Sequence, residues 1–165
     1  MYLYDSYDGK HVLVKRDDDK RYNSRFLAEN EEAASTLVAN LNRPLLKDQL
    51  AVVRFRIETQ GITLGELDVK TDRESQSTLN GAFGSLTNGL ITETEWKGSN
   101  GWQRVTQETL QPIAQAVATH VAKCFTVERQ ISEQLDGITD HQAMAEFDVI
   151  AAFINQFYPE GEESV

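Results

Sequence analysis

His120 and Cys124 stand four residues apart in "HVAKC", a spacing that sets two side chains on one face of a helix and suits a pair of metal ligands. His141 opens a later segment and could in principle join them. A second chemistry is acid–base hydrolysis, with Asp72 or Glu74 of "TDRESQSTLN" acting beside His120. The bland alternatives are stronger. Cys124 falls on an apolar helical stripe, where a free cysteine behaves as a small buried hydrophobe, and His120 lies at the border of that stripe. With three histidines in the chain, any Ser-His-Asp arrangement must use one of them, and no nucleophile elbow or glycine-rich phosphate loop accompanies them. "DDD" at 17–19 lacks the spaced oxygen ligands, central glycine and closing glutamate of a calcium loop and reads as a solvated turn. The expectation is no catalytic residue, no metal ligand and no cofactor.

The elements that must position these groups follow from periodicity. "HVLVKR" (11–16) alternates and is rich in β-branched residues, which predicts a strand. Asn30 is the expected N-cap of a helix carrying Ala33, Ala34, Leu37, Val38 and Leu41, with Pro44 ending or kinking it. Leu46, Leu50, Val53 and Ile57 predict a second helix with Gly61 at its C-terminal cap. Residues 62–69 read either as one strand bulged at Gly65 or as a tight hairpin. Thr71 and Glu74 have the T-x-x-E spacing of a capping box, which gives "TDRESQ" a helix-starting role. Leu79, Ala82, Phe83 and Leu86 then mark a helix stopped by Asn88-Gly89.

"LITETEWKGSNGWQRV" predicts a β-hairpin whose tryptophans either pair across the strands or face opposite sides, with both covering the core as the simplest reading. A long helix from Leu110 to Leu135 follows, with Val117, Val121, Cys124 and Phe125 on its stripe, Thr109 as N-cap and Pro112 in its first turn. Thr139 and Gln142 suggest another capping box. Met144, Phe147, Ile150, Ala151, Ile154 and Phe157 form the stripe of the last helix, antiparallel to the one before. The fold class expected is α+β: a helical hairpin and further helices packed with short antiparallel β-hairpins. Its expected parts are an N-terminal strand, arm and first helix over 1–43, an α+β domain over 44–157, and a disordered acidic tail over 158–165.

A chain of 165 residues can bury a real core. The formal net charge of −10 repels phosphates, so nucleic acid is not an expected partner. No apolar run reaches the length of a membrane span, so no membrane partner is expected. "MYLYDSYDGK" has neither the basic nor the apolar region of a secretory signal. The single cysteine excludes an intramolecular disulfide, so folding in the cytosol is expected.

From about Leu46 to Leu135 the order "RFRIETQGI", "DVKTDRESQSTLNGAF", "WKGSNGWQRVTQETL", "IAQAVATHVAKCFTVERQISEQL" resembles a domain of unknown function of tailed-bacteriophage tail and tail-fibre-associated proteins. The resemblance implies a non-enzymatic structural component of the virion tail, made in the host cytoplasm and bound to other tail proteins and to copies of itself. The alternative it implies is an assembly chaperone or adaptor that leaves the particle. Residues 1–43 lie outside the resemblance. Tyr2, Tyr4, Tyr7, Tyr22 and Phe26 concentrate there, and tyrosine suits contact surfaces. They are the candidate partner-binding residues, docking by strand addition; the alternative is that strand 11–16 pairs with the chain's own hairpin and the tyrosines cover its core.

Overall fold

A computed structural model describes residues 1–19, 21–98 and 101–159. The fold is α+β: β1 (Tyr2–Tyr7), β2 (His11–Arg16), β3 (Asn23–Leu27), α1 (Glu31–Thr59), β4 (Ile62–Leu64), β5 (Leu67–Val69), α2 (Arg73–Thr87), β6 (Thr94–Gly98), β7 (Gly101–Val105), α3 (Gln107–Gly137), α4 (His141–Glu146) and α5 (Val149–Phe157). None of the described helices is long and apolar enough to cross a membrane. The turn expected at Ser99-Asn100 and the acidic residues 160–165 lie outside the described residues. The chain divides into two compact units, Met1–Val53 with Glu128–Gln156, and Arg54–Val127 with the residues from Phe157.

In the first unit, β2 is the centre of an antiparallel sheet ordered β1-β2-β3. The strand expected at 11–16 therefore has partners on both sides. They are its sequence neighbours rather than the hairpin at 90–105. Alternation places Val12 and Val14 on one face, where both are fully buried with Ala34 and Val38 of α1. The β1–β2 turn is held by Asp8, whose carboxylate accepts from the backbone N–H groups of His11 (2.7 Å) and Lys10 (3.0 Å). Those bonds, with a smaller contribution from Arg25, hold the Asp8 carboxyl at about 2.

Asn30 caps α1 as expected, accepting from Ala33 N–H at 2.8 Å. The helix does not end at Pro44, however, but runs on to Thr59. Proline removes one backbone donor, a cost of ~3 kcal/mol relative to alanine. Tertiary contacts offset it: Arg43 donates to the carbonyls of Leu135 (2.9 Å) and Ile138 (2.7 Å), and Leu46, Leu50 and Val53 continue the buried stripe begun by Val38. Pro44→Ala is accordingly expected to raise the thermal midpoint, with ~3 kcal/mol as the ceiling; a lower midpoint would show that the proline is needed where it stands.

In the second unit, β4 and β5 form a two-residue hairpin with Leu64 opposite Leu67 and Gly65 at a φ of +60°. This resolves residues 62–69 as a tight turn opened by glycine. Leu79 and Leu86 of α2, Val105 of β7, and Leu110 and Val117 of α3 form the buried cluster, with Trp96 packed against it. Trp102 is 69% exposed, so the tryptophans do not both cover the core. The register pairs Trp96 with Gln103 and Lys97 with Trp102, which puts the two rings on opposite faces of the ribbon.

Three helix starts differ from expectation. The N-cap of α2 is Asp72, not Thr71: Asp72 accepts from Ser75 N–H at 2.9 Å and from Ser75 Oγ at 2.7 Å. Thr71 is fully buried and spends its hydroxyl on Gly61 N–H at 2.9 Å. The N-cap of α4 is Asp140, which accepts from Ala143 N–H at 2.8 Å, while Gln142 bonds Glu146. The α3 helix begins before Thr109, with Leu110 N–H on the Thr106 carbonyl and Thr106 N–H on Thr109 Oγ1, so Pro112 lies in the second turn.

The last helix is broken. Asp148 accepts from Ile150 and Ala151 N–H and starts α5 afresh, so the buried side chains are Val149, Phe153 and Phe157, while Ile150 and Ile154 are exposed. The α3 stripe holds at Leu110, Val117, Cys124, Ile131 and Leu135, all buried, and differs at Phe125, which is exposed, and at Val127, which is buried.

The capping carboxylates make stability depend on acid. Asp72 is lowered below its ordinary 3.8, first by Ser75 Oγ–H, and Asp140 first by Ala143 N–H. A lowered carboxylate stabilises the fold above its unfolded value and loses that contribution as pH falls through its folded value. Thermal midpoints measured from about pH 6 down to about pH 2 are expected to fall below about pH 4, and the fall should be shallower in Asp72→Asn and Asp140→Asn.

Candidate interaction surface

The residues with chemical potential are brought together only in part. His120 Nε2–H donates to the Ile57 carbonyl at 3.1 Å, and the same nitrogen lies 3.9 Å from Cys124 Sγ. Cys124 is fully buried. His141 belongs to the other unit, and among the described residues no three or more His, Cys, Asp or Glu side chains are grouped to hold a metal.

His120 and Asp72 both line an open groove of about 1700 Å³ bordered by the β4–β5 hairpin, α3 and Tyr158. Asp72 is committed to Ser75 there, and Glu74 does not line the groove. A Ser-His-Asp cluster does occur elsewhere, unforeseen from spacing. Ser35 Oγ lies 2.9 Å from His141 Nδ1 and 3.2 Å from Asp140 Oδ2. Asp140 and Ser35 approach the same ring nitrogen, whereas a catalytic triad needs them at opposite nitrogens. Ser35 Oγ also accepts His141 N–H at 2.9 Å, so the cluster ties the start of α4 to α1.

The candidate partner-binding aromatics have defined places in the first unit. Tyr2, Tyr4, Tyr7 and Phe26 pack against the Val12–Val38 cluster. Tyr2 meets Tyr22 edge-on at 5.8 Å, with Arg16 over both rings. Tyr4 stacks on His141 at 4.3 Å, and its buried hydroxyl has no hydrogen-bond partner among the described residues. Burial, aided by Glu31 and Tyr7, raises the Tyr4 pKa above 10.0. Tyr7 OH donates to the Ala28 carbonyl at 3.1 Å. The start of β1 is fastened by fully buried Asn42, which accepts from Tyr2 N–H at 2.7 Å and donates to its carbonyl at 2.8 Å. The outer edges of the sheet belong to β1 and β3.

The feature that sequence reasoning missed is in the second unit. "RFR" (54–56) reads as a solvated polar helix edge, with contact to an acidic partner as the alternative, and Glu58 carries no expectation; Glu58 is completely buried and binds two arginines. Arg54 pairs with it one helical turn away. Arg73 reaches it from α2 at 2.9 Å, and Gln76 adds a bond at 3.2 Å. Arg54 Cζ lies 4.6 Å from the Phe125 ring centroid and 6.0 Å from that of Phe55, and Arg73 Cζ lies 5.8 Å from Phe55. The result is a ladder, Phe125–Arg54–Phe55–Arg73, built on one buried carboxylate. The i,i+4 spacing of Arg54 and Glu58 was the available signal; the contributions of Arg73 and Phe125 have no local signature.

The match to known proteins is to one family. The model described as a domain of unknown function, DUF4376, covers residues 42–151, wider at both ends than the 46–135 resemblance. No curated protein and no solved structure matches the chain. A match across two thirds of the chain, spanning the segments that build both the buried Glu58 site and the Ser35-facing start of α4, makes this protein a member of the DUF4376 family.

Proposed function

We propose that this chain is a non-enzymatic structural component of a bacteriophage tail, associated with the fibre or baseplate and acting through protein–protein contacts. The reading is carried by the ordered resemblance of "RFRIETQGI", "TDRESQ", the "WKGSNGW" hairpin and the "HVAKCF" helix to tail-associated proteins. The contact role is supported by large apolar side chains left open to solvent, Phe55, Phe125 and Trp102 among them. Arginine and aromatic side chains are the types enriched where protein partners meet. The three-stranded sheet, whose outer strands are β1 and β3, is a further docking surface for another tail protein by strand addition.

Quantitative mass spectrometry of purified particles tests the reading. A structural component is present in fixed stoichiometry with the other tail proteins. An assembly chaperone or adaptor is found in the lysate and not in the particle, and that outcome replaces the structural reading with the adaptor one. Absence from both ends the tail assignment.

A further inference from the structure

The sheet of the first unit offers its two edges unequally. Asn42 occupies the outer side of β1 at Tyr2, taking both the N–H and the carbonyl, and a bulge between Tyr4 and Ser6 breaks the regular spacing beyond it. Both devices discourage a further strand. β3 has neither, and its register against β2 is unbroken from Asn23 to Leu27. Ala28 N–H donates to the Lys10 carbonyl at 3.0 Å, which makes Lys10 and Ala28 a hydrogen-bonded pair. Such pairs alternate along an antiparallel ladder. Phe26 and Ser24 therefore bond β2, while Asn23, Arg25 and Leu27 turn their N–H and carbonyl groups outward. Among the described residues these outward groups have no hydrogen-bond partner.

Beneath that edge α1 leaves room. The start of α1 runs antiparallel to β1, since Asn42 binds Tyr2 and the Ala28 carbonyl, just before the helix, binds Tyr7 OH. Ala34 and Val38 pack on Val12 and Val14 of β2. At about 3.6 residues per turn, Asn42 falls on one flank of the Ala34–Val38 line and Leu37 and Leu41 on the other. Asn42 marks the β1 side, so the two leucines lie on the β3 side. A depression of about 590 Å³ is lined there by Ala33, Thr36, Leu37 and Leu41, and Phe26 of β3 joins the same cluster as both leucines.

We propose that β3 takes up an extended segment of another protein, paired to the backbone of Asn23, Arg25 and Leu27. Its apolar residues, at every second position, turn inward onto Phe26, Leu37 and Leu41. This rests on the contact role proposed above and names the edge and the chemistry of the partner. The edge selects an extended chain, because a strand matches its two-residue repeat of N–H and C=O groups. A second copy is the poorer fit. Pairing its β3 antiparallel along all of Asn23–Leu27 sets Ser24 opposite Phe26 and puts a hydroxyl over the apolar depression.

Amide hydrogen exchange of the full chain, with and without a synthetic peptide of alternating valine and threonine flanked by lysines, tests this. The peptide is expected to slow exchange at Asn23, Arg25 and Leu27 about tenfold or more and to leave Tyr4 of β1 unchanged. Leu27→Pro deletes one outward donor without touching the β2–β3 ladder, and should weaken peptide binding about tenfold. Leu37→Ser, which leaves the edge whole, weakens binding as well and carries the test should Leu27→Pro not fold. Absence of protection with the peptide overturns the proposal, as does protection at β1 in place of β3, or a Leu37→Ser variant that binds like the wild type. Protection that appears without peptide as the chain is concentrated makes a second copy the occupant and overturns it too. None of these outcomes touches the tail assignment, which is decided on particles.

Discussion

Glu58→Ala is expected to be among the most damaging single substitutions in the second unit. The carboxylate is wholly buried and compensates Arg54, whose side chain is only 14% exposed, together with Arg73. Removing one partner of a buried ion pair costs ~3–5 kcal/mol. Arg73 is more than half exposed and can turn to water, so the low end, about 3 kcal/mol, applies. Arg73→Ala removes only the exposed partner and should cost ~0.2–1 kcal/mol, the range of surface pairs. Urea unfolding at neutral pH checks both, with the midpoint falling and the slope unchanged if the native fold persists. Equal losses for the two variants would mean that Glu58 does not organise this corner.

Phe153→Ala should be at least as severe, and Ile154→Ala nearly silent. Phe153 is fully buried, whereas Ile154 is 36% exposed. Truncating a buried phenylalanine costs ~3–5 kcal/mol through lost burial and the cavity left behind. Substitution at an exposed position away from special contacts stays within about 0.5 kcal/mol. The pair tests the register of α5 directly. Periodicity continued from Met144 predicts Ile150 and Ile154 inward, but the break at Asp148 turns the next helix so that Val149 and Phe153 face in. A larger loss for Ile154→Ala than for Phe153→Ala would restore the unbroken stripe.

The differences between expectation and structure have a common pattern. Element types were readable because they depend on local periodicity: α2 stops at Asn88-Gly89, with Leu90 N–H on the Ser85 carbonyl and Gly89 N–H on the Leu86 carbonyl. Caps were misplaced by one residue at Thr71 and Thr139, since an aspartate follows each and holds the helix start more strongly. At Thr71 the hydroxyl was also claimed by Gly61, ten residues back in the chain. β1 and β3 went unread, although Asp8-Gly9, with Gly9 at a φ of +92°, is a hairpin-turn signal.

The amino-acid sequence by itself determined the α+β class, the identity of most helices and the turns marked by glycine, because these rest on spacing within a few residues. Only the tertiary structure decided that α1 passes through Pro44, that Ser35 meets Asp140 and His141, and that Glu58 gathers Arg54, Arg73 and Gln76. The physical reason is the same in each case. A buried carbonyl, hydroxyl or carboxylate must find a partner, and that partner is chosen by proximity in the fold rather than along the chain.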